Sequence, residues 1–544
     1  GTDNVANTIN GGTSGIDTIS YTNYNTKVTV NLGATDGINT VKSTDIDTIL
    51  NIDNLIGGSA GDELTGNDGD NTIIGGDGAD TIYSSKGTDT IDGSTSASDI
   101  DIMDYSNRTS NIVLTTVGST YTVIKTDDSN KTDSLTNIEV VKGSNSDDSM
   151  TGGSQKDTFK GGTGADTFIQ TATAGDTTGD NIDGGSEAHA SRGSDTVDYS
   201  IISKSIEVTL NGSTNAVVTI DTYADDTIKN IENIIGGSAN DKISGDSNAN
   251  ILNGSLGDDT LRGSAGNDTL IGGTGQDAAD YSDAAKAIIV NLGNAIEVTQ
   301  DGFDNVDDLN GIEIVIGSNY DDSITGSANS DTLIGGTGDD KFFATNGADI
   351  YYGNTVANGN AVVAGEYNRV DYASAAKVYV DLSTVTGGYV EAIKSNSSAN
   401  DGFASNIESI DKLYSIINVY GSANADTLIG DAQGNKLDGK AGNDILEGKA
   451  GADNLLGSAG NDTFIFEQSD NQKDIVYGGT AALDDSANDM IDYSQAIKGM
   501  TIVLADNNAK GTASSQDQGI DDIYGIEHVR GSDLENDTIT GNSA

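Results

Sequence analysis

GNDGDNTIIGGDGADTIY, residues 66–83, divides into two nine-residue lines, GNDGDNTII and GGDGADTIY. Glycine takes the first and fourth places of each line, an acid or amide the sixth, and isoleucine the eighth. The first six residues are permissive backbone, able to take positive φ and turn tightly with carbonyls pointing inward. The last three, such as Thr81, Ile82 and Tyr83, make a short strand whose central residue faces away from its two neighbours. Two lines therefore give two turns and two strands, one coil of 18 residues. Stacked coils superpose residue n on residue n+18: Asp62 on Asp80, Asp241 on Asp259 and Asp277, Asp426 on Asp444 and Asp462, Asn71 on Asp89. Four carboxylates in this stretch have no lysine or arginine beside them. At a strand spacing of ~4.8 Å and an effective dielectric of ~20, stacked carboxylates repel by roughly 3 kcal/mol per pair. Such a ladder calls for cations.

The period extends far beyond these residues. Twenty-one units fall into five blocks, at 57–92, 143–169, 236–280, 317–352 and 421–465, with no insertion inside any block. Checking for such periods comes first, because a repeat architecture overrides any domain count taken from length. The sixth places hold Asp62, Asp80, Asp89, Asp148, Asp157, Asp166, Asp241, Asp259, Asp268, Asp277, Asp322, Asp331, Asp340, Asp349, Asp426, Asp444, Asp453 and Asp462, with Asn71, Asn250 and Asn435 in the remaining three. These are the candidate metal ligands. Ca²⁺ takes 6–8 oxygens in a flexible shell and mixes carboxylates with carbonyls, both of which a turn of this kind supplies. Mg²⁺ wants a strict octahedron and keeps its waters. Zn²⁺ is disfavoured, because the blocks contain neither His nor Cys.

Composition agrees with a repeat of strands and turns. The chain has 544 residues, 85 Asp+Glu against 27 Lys+Arg, and a formal net charge of -58. Proline, cysteine and tryptophan are absent. At an average usage of ~5% a chain this long would carry more than twenty prolines, and their absence suits a backbone whose N–H groups are needed in ladders. Without cysteine there is no disulfide framework and no thiolate site. The acidic balance disfavours nucleic acid and anionic lipid as partners. No run of 18 apolar residues is present, so no transmembrane segment is expected.

A longer repeat of roughly 80 to 120 residues is superposed on the short one. Each copy begins at a tyrosine signature, ISYT at Tyr21, MDYS at Tyr105, VDYS at Tyr199, ADYS at Tyr281, VDYA at Tyr372 and IDYS at Tyr493. An alternating segment follows, such as KVTVNL (27–32), SIEVTL (205–210), AIIVNL (287–292) or KVYVDL (377–382), with the period of a strand that buries one face. A line such as NIDNLIGGS or NIENIIGGS then leads into the next block. This organisation defines six modules, 1–104, 105–198, 199–280, 281–371, 372–492 and 493–544, the last one truncated. The chain opens without Met and closes within a repeat, as expected of a piece of a longer protein. Segments 170–194 and 353–368, rich in Gly, Asn, Thr and Ala, are the expected loops.

GGDGADTIY, GGTGADTFI and GGTGDDKFF meet the full consensus GGxGxDxUx, in which U is a large apolar residue. On these residues the chain resembles the RTX, or haemolysin-type, calcium-binding repeat family. The resemblance covers about a third of the chain and implies an all-β, right-handed parallel β-roll or β-solenoid. It also implies calcium between successive turns, held by the sixth-place Asp and by carbonyls of the Gly-rich turn. Departures from the consensus matter. Asn71, Asn250 and Asn435 bring no charge, so weaker or empty sites are expected there. Ala60, Ala239 and Tyr320 replace the fourth glycine in opening units, whose turns are expected to guide the coil into register. About 10–20 Ca²⁺ ions are expected, and about fifteen would offset roughly half of the net charge.

Catalysis is not expected. GGSAG at 57–61 matches a nucleophile elbow, but that motif needs a strand–turn–helix and a histidine partner, and Ser59 is the third place of a repeat. The two histidines, His189 and His528, form no H-E-x-x-H motif. Acid pairs such as Asp258 and Asp259 recur from block to block, as catalytic pairs do not. The signature tyrosines are read as packing residues that close the coil. Two function classes remain. One is an extracellular structural protein, a surface-layer subunit, matrix filament or adhesin, with self-association or cell-surface components such as polysaccharide as partners. The other is the secretion and folding domain of a type I-exported enzyme or toxin whose catalytic domain lies elsewhere.

Overall fold

The computed structural model describes residues 7–33, 40–42, 45–94, 99–153, 155–171, 179–185, 193–294, 297–354, 366–385, 388–395, 407–466, 472–479, 487–496, 498–505, 509–515, 520–533 and 536–541. Regular structure among them is β-strand throughout, with no helix. The chain forms two compact units, Gly1–Asp277 and Ala278–Ala544. Each is a β-solenoid, a stack of coils with two parallel faces.

The three-residue strands follow from the nonapeptide. In Glu63–Thr65 and Thr81–Tyr83 the central residue is buried and its neighbours are half-exposed. Strands pair in parallel at the 18-residue offset. In the first unit one face runs Leu55, Ile73, Ile91 and the other pairs Leu64 with Ile82. In the second unit Val419, Leu437 and Leu455 stack on one face, and Leu428, Leu446 and Phe464 on the other. All of these side chains are at most 1% exposed, and burying each one stabilises the fold by about 1.5–3 kcal/mol.

The turns need glycine for two separate reasons, visible at 75–80. Gly76 and Gly78 have φ of +110° and +99°, a region closed to most side chains. A Cβ on Gly76 would also lie 2.3 Å from the Gly58 carbonyl oxygen, and one on Gly78 2.6 Å from Ala60 of the preceding coil. Backbone therefore stacks directly on backbone.

The alternating segments are strands, as read, but each opens an antiparallel excursion, a three-stranded meander except in the fourth module, where Ile289–Asn291 pairs with Val298–Gln300 and an isolated bridge from Val298 to Asp307 follows. In the second module Ile112–Val117 pairs with Thr120–Lys125, which pairs with Lys131–Thr136. The third strand continues the parallel ladder from Thr90–Asp92, and the first passes it on to Ser149–Thr151. One antiparallel strand is thus inserted into one face, while the other face runs on directly from Ile102–Asp104 to Val140–Lys142. Comparable excursions begin at Val28–Asn31, Ile206–Thr209, Ile289–Asn291, Lys377–Asp381 and Thr501–Val503.

The signature tyrosines are buried, Tyr105, Tyr199, Tyr372 and Tyr493 completely. Three hydroxyls donate into the meanders, Tyr105 to Asp133, Tyr199 to Asp226 and Tyr281 to Asp307. The preceding aspartate makes a local turn: Asp104 Oδ1 accepts the Ser106 amide at 2.7 Å, and Asp198 Oδ1 the Ser200 amide at 2.8 Å. Segment 170–194 is not all loop. Asn181–Asp183 is a ladder strand between Thr158–Lys160 and Tyr223–Lys229, because the run from Gly179 to Gly184 repeats the second half of a unit. Residues 172–178, 186–192 (His189 among them) and 355–365 lie outside the described part.

Candidate metal sites

All twenty-one predicted sixth-place residues are buried, none more than 3% exposed. Their side chains form the expected ladders: the carboxylate of one coil accepts the amide of its counterpart in the coil before. Asp80 Oδ1 takes the Asp62 amide at 2.7 Å, Asp259 the Asp241 amide at 2.7 Å, Asp277 the Asp259 amide at 2.8 Å. Asp444 and Asp462 accept from Asp426 and Asp444 at 2.7 and 2.8 Å. What the second carboxylate oxygen does divides the sites into classes.

In the opening unit of each block both oxygens are taken by the protein. Asp62 accepts from the amides of Val28 and Gly58, Asp241 from Ile206 and Gly237, and Asp426 from Val378 and Ser422. Asp148 and Asp322 are held likewise, from Ile112 and Ser144 and from Ile288 and Ser318. Val28, Ile112, Ile206, Ile288 and Val378 stand at or just before the first strand of a meander. These aspartates therefore tie each meander to its block, the register-setting role expected of opening turns.

The third unit of every block differs from the first. Asp80, Asp166, Asp259, Asp340 and Asp444 each bury an Oδ2 that has no hydrogen-bond donor. That oxygen points across the mouth of its own turn. A Cβ on the first-place glycine, Gly75, Gly161, Gly254, Gly335 or Gly439, would lie only 2.1–2.3 Å from it. Burial, with neighbouring aspartates adding to it, pushes these carboxyls up to about 7 at Asp80 and Asp259, about 8 at Asp166 and Asp340, and about 9 at Asp444. A buried acceptor left unmatched costs about 1–3 kcal/mol, and more if charged. Recurrence of that cost at the same place in five blocks makes these carboxylates the candidate cation ligands.

The donor set fits calcium. Every candidate ligand is an oxygen, and among the described residues no three acidic or imidazole side chains converge on one point. A cation between coils would therefore complete its shell with turn carbonyls, as Ca²⁺ readily does. Asp80, Asp166, Asp259, Asp340 and Asp444 would hold it, with the carbonyls of their own turns.

The three asparagines are satisfied without metal. Asn71 Nδ2 donates to the Asp53 carbonyl at 2.6 Å, Asn250 to that of Glu232 and Asn435 to that of Ile417, both at 2.8 Å. Their Oδ1 atoms accept the amides of Asn67, Asp246 and Asp431 at 2.8 Å. A carboxylate could not make the first of these bonds.

The ladders also run through residues that nonapeptide counting passes over. Asp101 accepts from Asp80, Asp180 from Asp157, Asp195 from Asp166 and Asp226 from Asp180, each at 2.8 Å. Asn368, Asp474 and Asp489 continue the ladders of the second unit, accepting from Asp340, Asp453 and Asp462. Glu139, Glu232 and Glu527 of the NIE-type lines accept from Asp101, Asp195 and Asp489. Except at Asp226 and Asn368, their signal was legible: an acid directly before a three-residue strand with an apolar centre. His528 is exposed and begins the strand His528–Arg530, which pairs with Met490–Asp492 directly after Asp489.

A family model for the RTX calcium-binding nonapeptide repeat (four copies) matches residues 56–93, 136–168, 230–261, 244–279, 309–341, 325–357, 429–464, 438–472 and 447–480. These ranges contain Asp80, Asp166, Asp259, Asp340 and Asp444. No curated protein matches the chain.

Proposed function

The chain belongs to the RTX calcium-binding repeat family, and from that premise we propose that it is a calcium-rigidified, non-catalytic structural segment of an extracellular protein, a surface layer, matrix filament or adhesin. The observation that carries this reading is the fivefold recurrence of one buried, partnerless carboxylate oxygen at the third unit of each block. Five such sites spread over both units would stiffen each of them, and six modules over 544 residues is far longer than a folding aid for a neighbouring domain needs. Among the described residues no helix is long and apolar enough to cross a membrane. The partners this reading proposes are polysaccharide or copies of the same chain.

Metal held by the folded coil alone makes binding free energy folding free energy. The calcium-holding coils, and with them much of the chain's strand structure, are expected to unfold without calcium and to fold at the millimolar levels of extracellular modules, ~10⁻⁴–10⁻³ M. Far-UV circular dichroism before and after EGTA tests this, and an unchanged spectrum would refute it. Negative-stain images of the native cell surface test the structural role. Ordered arrays that dissolve on chelation are expected. A reading frame that joins these repeats to a catalytic domain would instead assign them to secretion and folding of an exported enzyme or toxin.

A further inference from the structure

Two sixth-place aspartates already have a cation supplied by the protein. Lys125 and Lys394 are buried, 0% and 2% exposed, in the second strands of their meanders. Lys394 Nζ lies 2.7 Å from the carbonyl oxygens of Thr345 and Gly347, the second and fourth places of the turn that carries Asp349. It also lies 2.7 Å from Asp411 Oδ1 and 3.5 Å from Asp349 Oδ2. Lys125 Nζ makes the corresponding set, with the Ser85 carbonyl at 2.9 Å, Asp133 Oδ1 at 2.6 Å and Asp89 Oδ2 at 3.3 Å. Two carboxylates and turn carbonyls are the ligands a hard divalent ion would take. An ammonium, with three donors and no acceptor, takes them here.

We propose that at these two turns a tethered lysine replaces calcium, so that Asp89 and Asp349 belong to metal-independent clamps while the third-unit aspartates remain calcium ligands. The proposal rests on the calcium reading given above and corrects the sequence assignment at two of its residues. Both turns have lost the glycines at their first two places, which read Ser84 and Ser85, and Ala344 and Thr345. The second-place hydroxyl now donates to the clamped carboxylate, Ser85 Oγ to Asp89 Oδ2 at 3.0 Å and Thr345 Oγ1 to Asp349 Oδ2 at 3.2 Å. The Tyr351 hydroxyl adds a third donor to Asp349 Oδ2 at 3.1 Å. At Asp80 and Asp444 the same oxygen has none. Arg108 reinforces the first clamp, bonding Ser84 Oγ at 2.7 Å and the Ser85 carbonyl.

Position in the fold shows that the lysines serve the turn and not the meander. Lys125 stands opposite Ile112, and Lys394 opposite Val378, the residues whose amides dock on the first aspartate of the next block. In the third module Ile220 occupies that register, opposite Ile206, and the meander forms all the same. Each clamp therefore sits where a block ends and a meander begins. A chelator strips calcium from a turn but cannot remove a side chain.

Block-resolved amide exchange of the full chain, with calcium and after EGTA, tests the assignment. On chelation Thr81–Tyr83 and Ile445–Glu447 are expected to exchange at least tenfold faster, while Thr90–Asp92 and Ile350–Asn354 change less than threefold. Lys394→Met should make Ile350–Asn354 chelator-sensitive, leave Thr90–Asp92 as in the wild type, and raise the bound calcium of the folded protein by one ion. Lys125→Met should do the reverse. The proposal is overturned if, in the wild type, the clamped strands open with EGTA as freely as Thr81–Tyr83, or if the substitutions leave the chelator response unchanged. A wild type in which no strand responds to EGTA would remove the calcium reading and the proposal with it. The wild-type comparison decides the matter even if a variant does not fold.

Discussion

Gly76→Ala measures how tightly one coil is laid on the next. Gly76 and Gly12 share a backbone conformation, φ +110° and +109°, and lie in the same unit. They differ in surroundings. A Cβ on Gly12 would meet nothing within 4 Å, whereas one on Gly76 would lie 2.3 Å from the carbonyl oxygen of Gly58, one coil back. Gly12→Ala therefore carries only the conformational cost, about 1–3 kcal/mol for a non-glycine residue in such a region. Gly76→Ala adds a backbone collision that no rotamer can relieve, worth about a further 1–3 kcal/mol on the scale of overpacked cores. With each 1.4 kcal/mol a factor of ten, the excess corresponds to about 5–150-fold in a local opening constant. The assay is amide exchange of the calcium-loaded protein, read at Thr72–Ile74 and Thr81–Tyr83 for Gly76→Ala and at Thr8–Asn10 and Thr18–Ser20 for Gly12→Ala. Local opening is the appropriate measure, because stability in a repeat array is a sum of neighbouring terms. Gly76→Ala should also raise the calcium midpoint, since Gly76 belongs to the turn that carries Asp80. Equal acceleration by the two substitutions, within a factor of two, would show that the coils are not held in backbone contact there.

Acidification should act in opposite directions on the two forms of the protein. Burial raises the folded-state carboxyls of Asp80, Asp259, Asp166, Asp340 and Asp444 to about 7–9, against ~3.9 in an unfolded chain. The folded metal-free form therefore binds more protons than the unfolded one, and the resulting stability, complete below ~4, is lost as pH rises through 7–9. Circular dichroism in EGTA should accordingly show more strand at pH 5 than at pH 9, and the opposite trend would refute the burial of these groups. Calcium must displace the same protons, so its apparent affinity should rise with pH, with proton release detectable by titration calorimetry in buffers of different ionisation enthalpy. Asn435→Asp loses the amide bond to Ile417 and sets a carboxylate oxygen against that carbonyl. Without calcium it should destabilise its block by about 1–3 kcal/mol, measured by urea unfolding, while with saturating calcium most of that loss should be recovered by a new bound ion.

The periodic part of this fold was open to reading because each of its places has a single physical job. An isoleucine at the eighth place can only be the inward residue of a three-residue strand, and Ile73 and Ile82 are 0% exposed. The 18-residue offset followed from two turns and two strands, and it is the register found. The meanders were half-legible. Their first strands, such as Val28–Asn31, alternate in the usual way, but the partners that follow do not reveal whether they return antiparallel or continue the coil. Asp133 and Asp411 were invisible for that reason, since each enters its ladder only through the register of a third strand. The lysine clamps were hidden deeper. Lys125 lies 36 residues from Asp89, and nothing in the local sequence of either joins them. The strand Asn181–Asp183 was passed over because loop-like composition around it outweighed one buried isoleucine.

The acids buried within the coils give a physical reason for a folded chain of this family to take up cations. Beyond the eighteen nonapeptide aspartates, the ladders bury Asp101, Asp133, Asp180, Asp195, Asp226, Asp411, Asp474, Asp489 and Asp521. Against them, the buried cations among the described residues are Arg108, Lys125 and Lys394. At roughly 3 kcal/mol for each stacked pair of charges, a few bare neighbours would exceed the ~5–15 kcal/mol that usually separates a folded domain from its unfolded chain. The coils can therefore close in only two ways near neutrality, by holding protons on their carboxyls or by taking cations between them. Protons would be lost from the most strongly shifted of these carboxyls as pH rises through about 7–9, whereas a divalent ion held between coils would offset their charge across that range. Lysines at the ends of the first and fourth blocks would leave fixed points from which the calcium-dependent coils can be rebuilt in register, a use for metal-independent clamps in a chain whose remaining turns wait for calcium.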